Sequence, residues 1–261
     1  MLLQFEEGLP LHKILQMHGK ITYKFSKVIL YQVVKIIKQI HKAGFIYRDL
    51  KASNLIVQKN GGIALIDFGY AKKIEKSRTK SFCGTTHAMA PEFFNQEIMA
   101  ENGQGYDYSV DFYAIGILAF EILTGKPPFG YNCSEQDITN GINEDIVQCI
   151  EQEEARDFIY KLLKKDTSKR LGYKNGCDEI LDHIYFDDID KDVMEKIMET
   201  KQLLDIDEQF SIDFQFYEED VDAFSLQKNV KDNEDDNRNL NELQLDENQK
   251  SQMDKLSSMF G

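Results

Sequence analysis

The chain has 261 residues, of which 42% are hydrophobic and 29% charged, a balance that excludes disorder as the rule over most of its length. Its formal net charge of −14 belongs to the C-terminal part, because residues 205–261 carry −11 and residues 1–204 only −3. A nearly neutral body followed by an acidic tail offers no basic surface for nucleic acid or anionic membranes, so neither is an expected partner.

The first quarter of the chain predicts the end of a strand and then two helices. Residues 1–6 have the pattern of a strand that runs into a linker. Pro10 and Gly19 bracket a short helix, since proline is favoured in the first helical turn and glycine just past the last. Between Thr22 and Ala43 apolar residues recur at helical spacing, which predicts a second, longer helix.

A β-hairpin follows a strongly polar octapeptide. The octapeptide "YRDLKASN" occupies residues 47–54 and packs charged and amide side chains into one short stretch. Apolar residues 55–57 and 63–66 flank the glycine-containing turn "QKNGG" at 58–62, which is the pattern of two antiparallel strands.

Three oxygen-bearing side chains are expected to meet at the open end of this hairpin. The residue that enters the first strand and the residue that leaves the second lie side by side in an antiparallel pair, and here they are Asn54 and Asp67. Asp49 lies five residues before Asn54, and Gly69 allows the backbone to turn away. Carboxylate and amide oxygens together with phosphate oxygens are the ligands that Mg²⁺ prefers.

The rest of the chain predicts further helices and then a disordered tail. Helices are expected at 109–124, 154–165 and 177–185. The apolar stretch at 112–123 is too short to cross a bilayer, so it predicts a buried helix and no transmembrane segment. Its core residues Ile115, Leu118 and Ile122 are expected on one apolar stripe. Residues from 228 onward are rich in Asn, Asp and Glu, which favours disorder. Four cysteines without a C-x-x-C pair favour reduced thiols and a cytoplasmic protein with access to the nucleus: Cys83, Cys133, Cys149 and Cys177.

The order of the motifs resembles the eukaryotic protein kinase domain. "YRDLKASN", "DFG" at 67–69 and "APE" at 90–92 occur in sequence, followed by "YSVDFYAIGILAFEILTGKPPF" and "KKDTSKRLG". Tyr47, "FCGT" at 82–85 and "FYEEDVDAF" at 216–224 are similar to the AGC group, which contains the cAMP- and cGMP-dependent kinases. The resemblance covers residues 1–224 and implies a Ser/Thr protein kinase that uses ATP and Mg²⁺.

The resemblance also implies a fold class and a domain plan. The fold is expected to be mainly α, a kinase-like large C-terminal lobe with a small β-hairpin at the active site and without the β-rich N-terminal lobe. Residues 1–10 correspond to a hinge, 11–186 to the lobe, 187–227 to an AGC-like extension and 228–261 to the acidic tail.

The catalytic roles that the resemblance implies fall on the polar octapeptide and the hairpin. Asp49 would orient the substrate hydroxyl and accept its proton, and Lys51 would neutralise charge on the transferring phosphoryl group. Asn54 and Asp67 would hold Mg²⁺ and contact the ATP phosphates. Gln4 and Glu6 in the hinge would contact the rest of the cofactor.

A regulatory role is implied for the segment between "DFG" and "APE". Ser81 lies where this family is phosphorylated, and Arg48 and Lys72 lie where the phosphate would bind. Thr79 and Thr85 are the competing phosphate acceptors, although Thr85 is expected to support Asp49. The non-regulatory alternative is that the basic residues form a solvated loop face.

Four further residues are expected to support the architecture, and others to bind substrate. Thr85 would support Asp49, the Glu92–Arg170 pair would clamp the segment, and Asp111 would accept hydrogen bonds from the octapeptide backbone. The substrate side chain after the target would meet three residues, Phe82, Thr86 and Met89. The positions that bind upstream arginines are here Pro10, Ser53 and Glu121, so with one carboxylate a weaker preference for arginine is expected.

The glycine-rich loop and strand lysine of a kinase are not found ahead of the hinge, which leaves three explanations: a fragment, a natural truncation that acts as a binding module, or a decayed relic. Four retained functional residues, Asp49, Lys51, Asn54 and Asp67, disfavour decay. We expect no turnover by the 261-residue chain alone. The expected partners are a Ser/Thr protein substrate and a regulatory domain or subunit, and the alternative function is a non-catalytic interaction module.

Overall fold

The computed structural model describes residues 8–58, 61–74, 78–100 and 103–200. These residues form a helix-rich lobe with a few short strands, in agreement with the expected mainly α class. The α-helices are α1 Leu11–His18, α2 Tyr23–Lys42, α3 Gln96–Met99, α4 Ser109–Thr124, α5 Glu135–Asn140, α6 Glu144–Val147, α7 Glu153–Leu162, α8 Cys177–Leu181 and α9 Lys191–Thr200. The strands are β1 Leu9–Pro10, β2 Phe45–Ile46, β3 Leu55–Val57, β4 Ile63–Leu65 and β5 Lys72–Lys73.

Helix α4 is the centre of the core. It packs against α2 on one side and α7 on another. The predicted core residues Ile115, Leu118 and Ile122 are all at most 1% exposed, which confirms the expected buried helix. The helix has no exposed face, however, because every residue from Ser109 to Ile122 is buried. The predicted stripe is therefore one side of a helix that is enclosed all round, since a helix surrounded by other elements has no reason to be amphipathic.

The ends of α2 and α4 are fixed by local backbone chemistry. The Thr22 hydroxyl caps α2 by accepting a hydrogen bond from the backbone N–H of Phe25. Gly125 ends α4 in the left-handed conformation, with φ of 86°. A side chain at this position would meet the Gly19 carbonyl oxygen at 2.1 Å, so the glycine also permits the close approach of the chain that leaves α1.

Two small antiparallel sheets carry the polar loops. The predicted hairpin is confirmed as β3 and β4, paired in the register Leu55 with Leu65 and Val57 with Ile63. Strand β1 adds to its edge, with Leu9 opposite Val57. Strands β2 and β5 form the second sheet and bring the segment that precedes the octapeptide beside Lys72.

Two helices end earlier than predicted, for identifiable reasons. Helix α7 stops at Leu162 instead of residue 165, and the carbonyl groups of Lys164 and Lys165 accept hydrogen bonds from the Arg170 side chain. Helix α8 stops at Leu181 instead of residue 185. There His183 caps a short 3₁₀ helix by accepting a hydrogen bond from the Tyr185 N–H. In both cases a side chain, Arg170 for α7 and His183 for α8, binds a backbone group beyond the helix end, where the helical hydrogen bonds have stopped.

The predicted C-terminal extension is described only as far as α9, and the expectations for residues 201–261 lie outside the described residues. None of the helices in the described ranges has both the length and the apolar character that crossing a bilayer requires.

Candidate active site

The polar octapeptide is held in place by one carboxylate at the start of α4. The fully buried Asp111 accepts hydrogen bonds from the backbone N–H groups of Tyr47 and Arg48, at 2.9 and 2.8 Å. His41, near the end of α2, contacts the same carboxylate at 2.7 Å. Arg48 has a positive φ of 72°, which is uncommon for a residue with a side chain. Three partners on Asp111 compensate for that strained turn and fix the direction of the residues that follow.

Asp49 is the centre of a compact polar cluster. It is only 1% exposed, yet its side chain has partners from two directions. The Thr85 hydroxyl donates to Oδ1 at 2.7 Å, and Lys51 Nζ lies 2.8 Å from Oδ2. Lys51 also donates to Thr85 at 2.7 Å, so the three side chains close a triangle. The arrangement fixes the orientation of the carboxylate and places a cation beside it.

The mouth of the β3–β4 hairpin lies against this cluster. Asn54 uses its amide nitrogen to donate to the backbone oxygen and to Oδ2 of Asp49, both at 2.9 Å. Asp67 follows β4 with a positive φ of 60°, and its Oδ1 accepts a hydrogen bond from the Gly69 N–H at 3.1 Å. Tyr47 ties the loop to the hairpin, because its buried hydroxyl donates to the Ile66 carbonyl at 2.6 Å.

The donor set at the hairpin mouth suits Mg²⁺. Because the amide nitrogen of Asn54 is committed to Asp49, its oxygen is the atom that can face a cation, and Asp67 adds an exposed carboxylate. Within the described residues, no group of three or more His, Cys, Asp or Glu side chains could hold a metal ion by itself. A site with two protein ligands fits the preference of Mg²⁺ for completing its shell with water and substrate phosphate oxygens.

Arg48, Lys72 and Ser81 come together beside the octapeptide. Arg48 Nη1 and Lys72 Nζ both donate to the Ser81 hydroxyl, at 2.6 and 3.1 Å. The Arg48 Nε atom donates to the Tyr70 carbonyl at 2.6 Å, and Nη1 also contacts the Tyr106 hydroxyl at 3.0 Å. Two cations therefore converge on one neutral, exposed hydroxyl, which is an arrangement suited to an anion.

Glu92 and Arg170 form a buried bidentate ion pair. Arg170 Nη1 and Nη2 donate to the two carboxylate oxygens of Glu92 at 2.6 and 2.9 Å, and the two residues are at most 5% exposed. The pair joins the "APE" motif to the segment after α7, and Arg170 also donates to the Ser109 carbonyl at the start of α4. The contact is structural, since both side chains are enclosed by protein.

The predicted substrate-binding residues lie in different environments. Phe82 is 58% exposed and packs its ring edge against Phe93 and Phe94. Met89 is only 5% exposed, because its side chain packs against Gly84 and belongs to the core. Its predicted contact with the substrate residue after the target stays a prediction. Glu121 is 2% exposed, and its carboxylate accepts a hydrogen bond from Tyr131 at 2.8 Å.

Two contacts were missed by the sequence reasoning. Tyr106 donates to the Ser81 backbone oxygen and so holds the segment that carries the serine. Tyr131 covers Glu121, and no periodicity or motif marks it, because it lies in an irregular loop. The predicted cofactor contacts Gln4 and Glu6 lie outside the described residues.

Comparison with known proteins gives the class of this fold and site. Residues 1–186 match the model of the protein kinase domain, so the chain belongs to the protein kinase family. Similar proteins include cAMP-dependent protein kinase catalytic subunit 3 of Drosophila melanogaster, 35% identical over 79% of this chain and 34% of the relative. Human cGMP-dependent protein kinase 2 is 38% identical over 70% of this chain and 24% of the relative.

A third relative is a putative ribosomal protein S6 kinase alpha-2 of Caenorhabditis elegans, 35% identical over 74% of this chain and 25% of the relative. These relatives confirm the likeness to the cAMP- and cGMP-dependent kinases that the motifs indicated. The chain spans about a third or less of the length of these three relatives. The expected absence of a β-rich lobe stays a prediction.

Proposed function

We propose that the chain carries the catalytic lobe of a serine/threonine protein kinase, which transfers a phosphoryl group from ATP to a hydroxyl of a protein substrate. The observation that supports this most directly is the environment of Asp49. Its buried carboxylate is oriented by Thr85, Lys51 and Asn54 at 2.7–2.9 Å, beside the oxygen ligands of the hairpin mouth. A carboxylate fixed in this way is suited to orient a hydroxyl and accept its proton.

Each residue of the cluster has a distinct part in the proposed reaction. Asp49 positions the substrate hydroxyl and takes its proton as the oxygen attacks the terminal phosphorus of ATP. Lys51, held between Asp49 and Thr85, offsets negative charge on the phosphoryl group in transit. Asn54 and Asp67 would hold Mg²⁺, which when bound neutralises charge on the ATP phosphates.

The described residues form one face of an ATP site. Within the ranges 8–58, 61–74, 78–100 and 103–200, the sequence contains no G-x-G-x-x-G loop, and none of the ion pairs joins a strand lysine to a helix glutamate. Protein kinases use those parts to cover the phosphates and to bind them with a lysine. We therefore expect turnover only when a β-rich lobe is supplied, either covalently or by a partner.

Peptide phosphorylation tests the proposal. The assay compares the 261-residue chain alone with the same chain joined at its N-terminus to the β-rich lobe of a protein kinase. The joined protein should phosphorylate Ser/Thr peptides, and Asp49→Asn or Asp67→Ala should each lower kcat by about 100-fold or more, because each removes a group needed in the transition state.

A matched substitution separates chemistry from folding. Asp182 is an exposed carboxylate just after α8, so Asp182→Asn should leave kcat and the melting temperature unchanged. Activity that is indifferent to both Asp49→Asn and Asp67→Ala would overturn the kinase proposal and favour the interaction-module reading. Robust turnover by the 261-residue chain alone would overturn the expected need for a second lobe.

Regulation through Ser81 is part of the proposal. A phosphate on this hydroxyl would place up to two negative charges and three acceptor oxygens between Arg48 and Lys72, which already point at it. The resulting charge-assisted hydrogen bonds would order the segment between the "DFG" and "APE" motifs.

A further inference from the structure

Glu121 is a buried carboxylate near the end of the core helix α4. It is 2% exposed, and within the described part of the chain the Tyr131 hydroxyl is the one donor to its side chain, at 2.8 Å. An ionised carboxylate can accept about four hydrogen bonds, so this one is far from satisfied if charged. Burial accordingly raises the pKa of Glu121, against the opposing effect of the Tyr131 hydrogen bond.

Tyr131 covers this carboxylate from the solvent side. Its ring is 53% exposed, while its hydroxyl points inward to Glu121. The edge of the ring packs against the His87 imidazole, with centroids 5.3 Å apart and planes at 83°. Tyr131 thus shields the Glu121 carboxylate from solvent and exposes its own aromatic surface to solvent.

His87 connects this pair to the catalytic cluster. It lies two residues after Thr85, whose hydroxyl binds both Asp49 and Lys51. Burial lowers the pKa of His87, the Lys51 charge lowers it further, and only the charge of Asp49 opposes the shift. A pKa below 6.5 leaves the imidazole mostly neutral at pH 7. Its position two residues after Thr85, whose hydroxyl binds Asp49, places His87 at the edge of the catalytic cluster.

We propose that His87, Tyr131 and Glu121 form a closed substrate subsite that accepts an uncharged side chain beside the phosphorylated residue, and that Tyr131 is the residue that determines this selectivity. The inference rests on the proposed kinase function. Because His87 lies two residues after Thr85, which binds Asp49, and an extended peptide advances about 3.3 Å per residue, the subsite would receive a side chain a few positions from the phosphorylated residue. That side chain would meet the exposed Tyr131 ring instead of the Glu121 carboxylate.

Recognition of a basic side chain is the competing use of Glu121. It would require the Tyr131 ring to leave and a charged pair to form in a buried position, and an arginine would lose hydration before it gained a partner. An uncharged side chain packs on the existing surface without either change. The closed arrangement therefore favours the uncharged side chain.

Peptide binding to the 261-residue chain tests the subsite without requiring phosphoryl transfer. Fluorescence anisotropy measures the affinity of serine peptides that carry arginine, citrulline or leucine at each of the three positions on either side of the serine. Citrulline matches arginine in shape but is uncharged. At the position that meets the subsite, the wild-type chain should bind leucine at least as tightly as arginine, and citrulline as tightly as arginine.

Tyr131→Ala should open Glu121 to solvent and create a preference for arginine over citrulline of about tenfold at that position, as expected for a charge-assisted pair. The double variant Tyr131→Ala/Glu121→Gln should lose this preference again. Tyr131→Phe keeps the ring over the carboxylate and should bind arginine no better than citrulline. Circular dichroism and melting temperature establish that each variant folds.

Two results would overturn the inference. One is a wild-type preference for arginine of tenfold or more at any of these positions, if Glu121→Gln abolishes that preference. The other is a Tyr131→Ala chain that binds arginine peptides no better than wild type does. Failure of every peptide to bind overturns it as well. Failure of the kinase proposal is separately visible, because it depends on the Asp49→Asn and Asp67→Ala assays of the two-lobed protein.

Discussion

Arg170 and Arg48 are both held by several hydrogen bonds, but their environments differ in the charge of the partners. All five N–H groups of Arg170 are used: two bind the Glu92 carboxylate, and three bind backbone carbonyls of Lys164, Lys165 and Ser109. Arg48 is half-buried and binds only neutral oxygens from Tyr70, Ser81 and Tyr106. One guanidinium is neutralised and enclosed, and the other has no anionic partner within the described residues.

The difference separates a residue that stabilises the fold, Arg170, from one with a proposed regulatory role, Arg48. A buried, fully paired arginine has one stable arrangement, because every alternative leaves a charge without a partner. An arginine with neutral partners forms stronger hydrogen bonds when an anion binds to it. Lys72 adds a second cation at the same serine hydroxyl. The four predictions below test this distinction.

The largest effect should come from breaking the enclosed pair. Arg170→Met leaves the Glu92 carboxylate buried without its counterion and should lower the free energy of unfolding by about 3–5 kcal/mol. The melting temperature should fall by about 10 °C. Lys169→Met is a matched control, since Lys169 is 74% exposed and its Asp166 contact at 3.5 Å is worth below about 1 kcal/mol. Equal losses in the two variants, measured by urea unfolding, would contradict the assignment.

Loss of the phosphate acceptor should come next. The two-lobed Ser81→Ala variant should have a kcat/KM about tenfold lower than the same protein phosphorylated on Ser81, because the segment lacks the charge-assisted bonds to Arg48 and Lys72. Thr79→Ala is the control, since its hydroxyl contacts Ser81 at 3.3 Å without contacting either cation in the described structure. Peptide kinetics and phosphosite mass spectrometry check the result, and equal activity of Ser81→Ala and the phosphorylated protein would show that the switch lies elsewhere.

Arg48→Gln should have a small effect on folding and a larger one on regulation. The side chain keeps its polar character but loses its charge, so the free energy of unfolding should change by less than about 1 kcal/mol. The gain in kcat/KM on phosphorylation of Ser81 should largely disappear. A destabilisation as large as that of Arg170→Met would place Arg48 with the architectural residues.

The smallest effect concerns Glu121, a buried carboxylate with one partner. Burial raises its pKa above the ordinary value of 4.5, so the folded chain keeps the proton at a pH where the unfolded chain has lost it. The stability supplied by the protonated form is lost as pH rises through the folded pKa. Glu121→Gln should therefore gain stability relative to wild type as the pH rises above 4.5, by less than about 1 kcal/mol.

Thermal melting across this pH range checks the prediction. The exposed Glu135→Gln, on α5, is the surface control that also removes one carboxylate, and the two pH profiles are compared with each other. A difference between Glu121→Gln and wild type that is constant with pH would show that the carboxylate stays charged in the folded chain.

The sequence predicted the parts whose structure depends on local chemistry. Helix α4 was placed at its observed bounds, because the change from "YDY" to a continuous apolar run and the terminal Gly125 are both local signals. The meeting of Asn54 with Asp49 at the hairpin mouth follows from strand pairing and a five-residue spacing. Helix α5 was missed, although its Ser134–Asp137 capping box is a recognisable start signal.

The parts that could not be predicted depend on packing between distant residues. Met89 and Phe82 are both apolar residues of one loop, and only the packing of the lobe decides that one is buried and the other exposed. The cover of Tyr131 over Glu121 joins a helix to an irregular loop, where no periodicity sets the direction of a side chain. The early end of α7 depends on Arg170, which lies beyond the helix in the sequence.

Tyr47 makes the link between the octapeptide and the hairpin independent of acidity. Its fully buried hydroxyl donates to the Ile66 carbonyl, one residue before the proposed metal ligand Asp67. Burial raises the pKa of Tyr47 well above its ordinary value of 10, so the donor keeps its proton at neutral and acidic pH. A histidine at this position would exchange protons near neutral pH and could change its hydrogen bond with them. With a phenol, the hydrogen bond that joins the octapeptide to the hairpin does not depend on a group that titrates in this range.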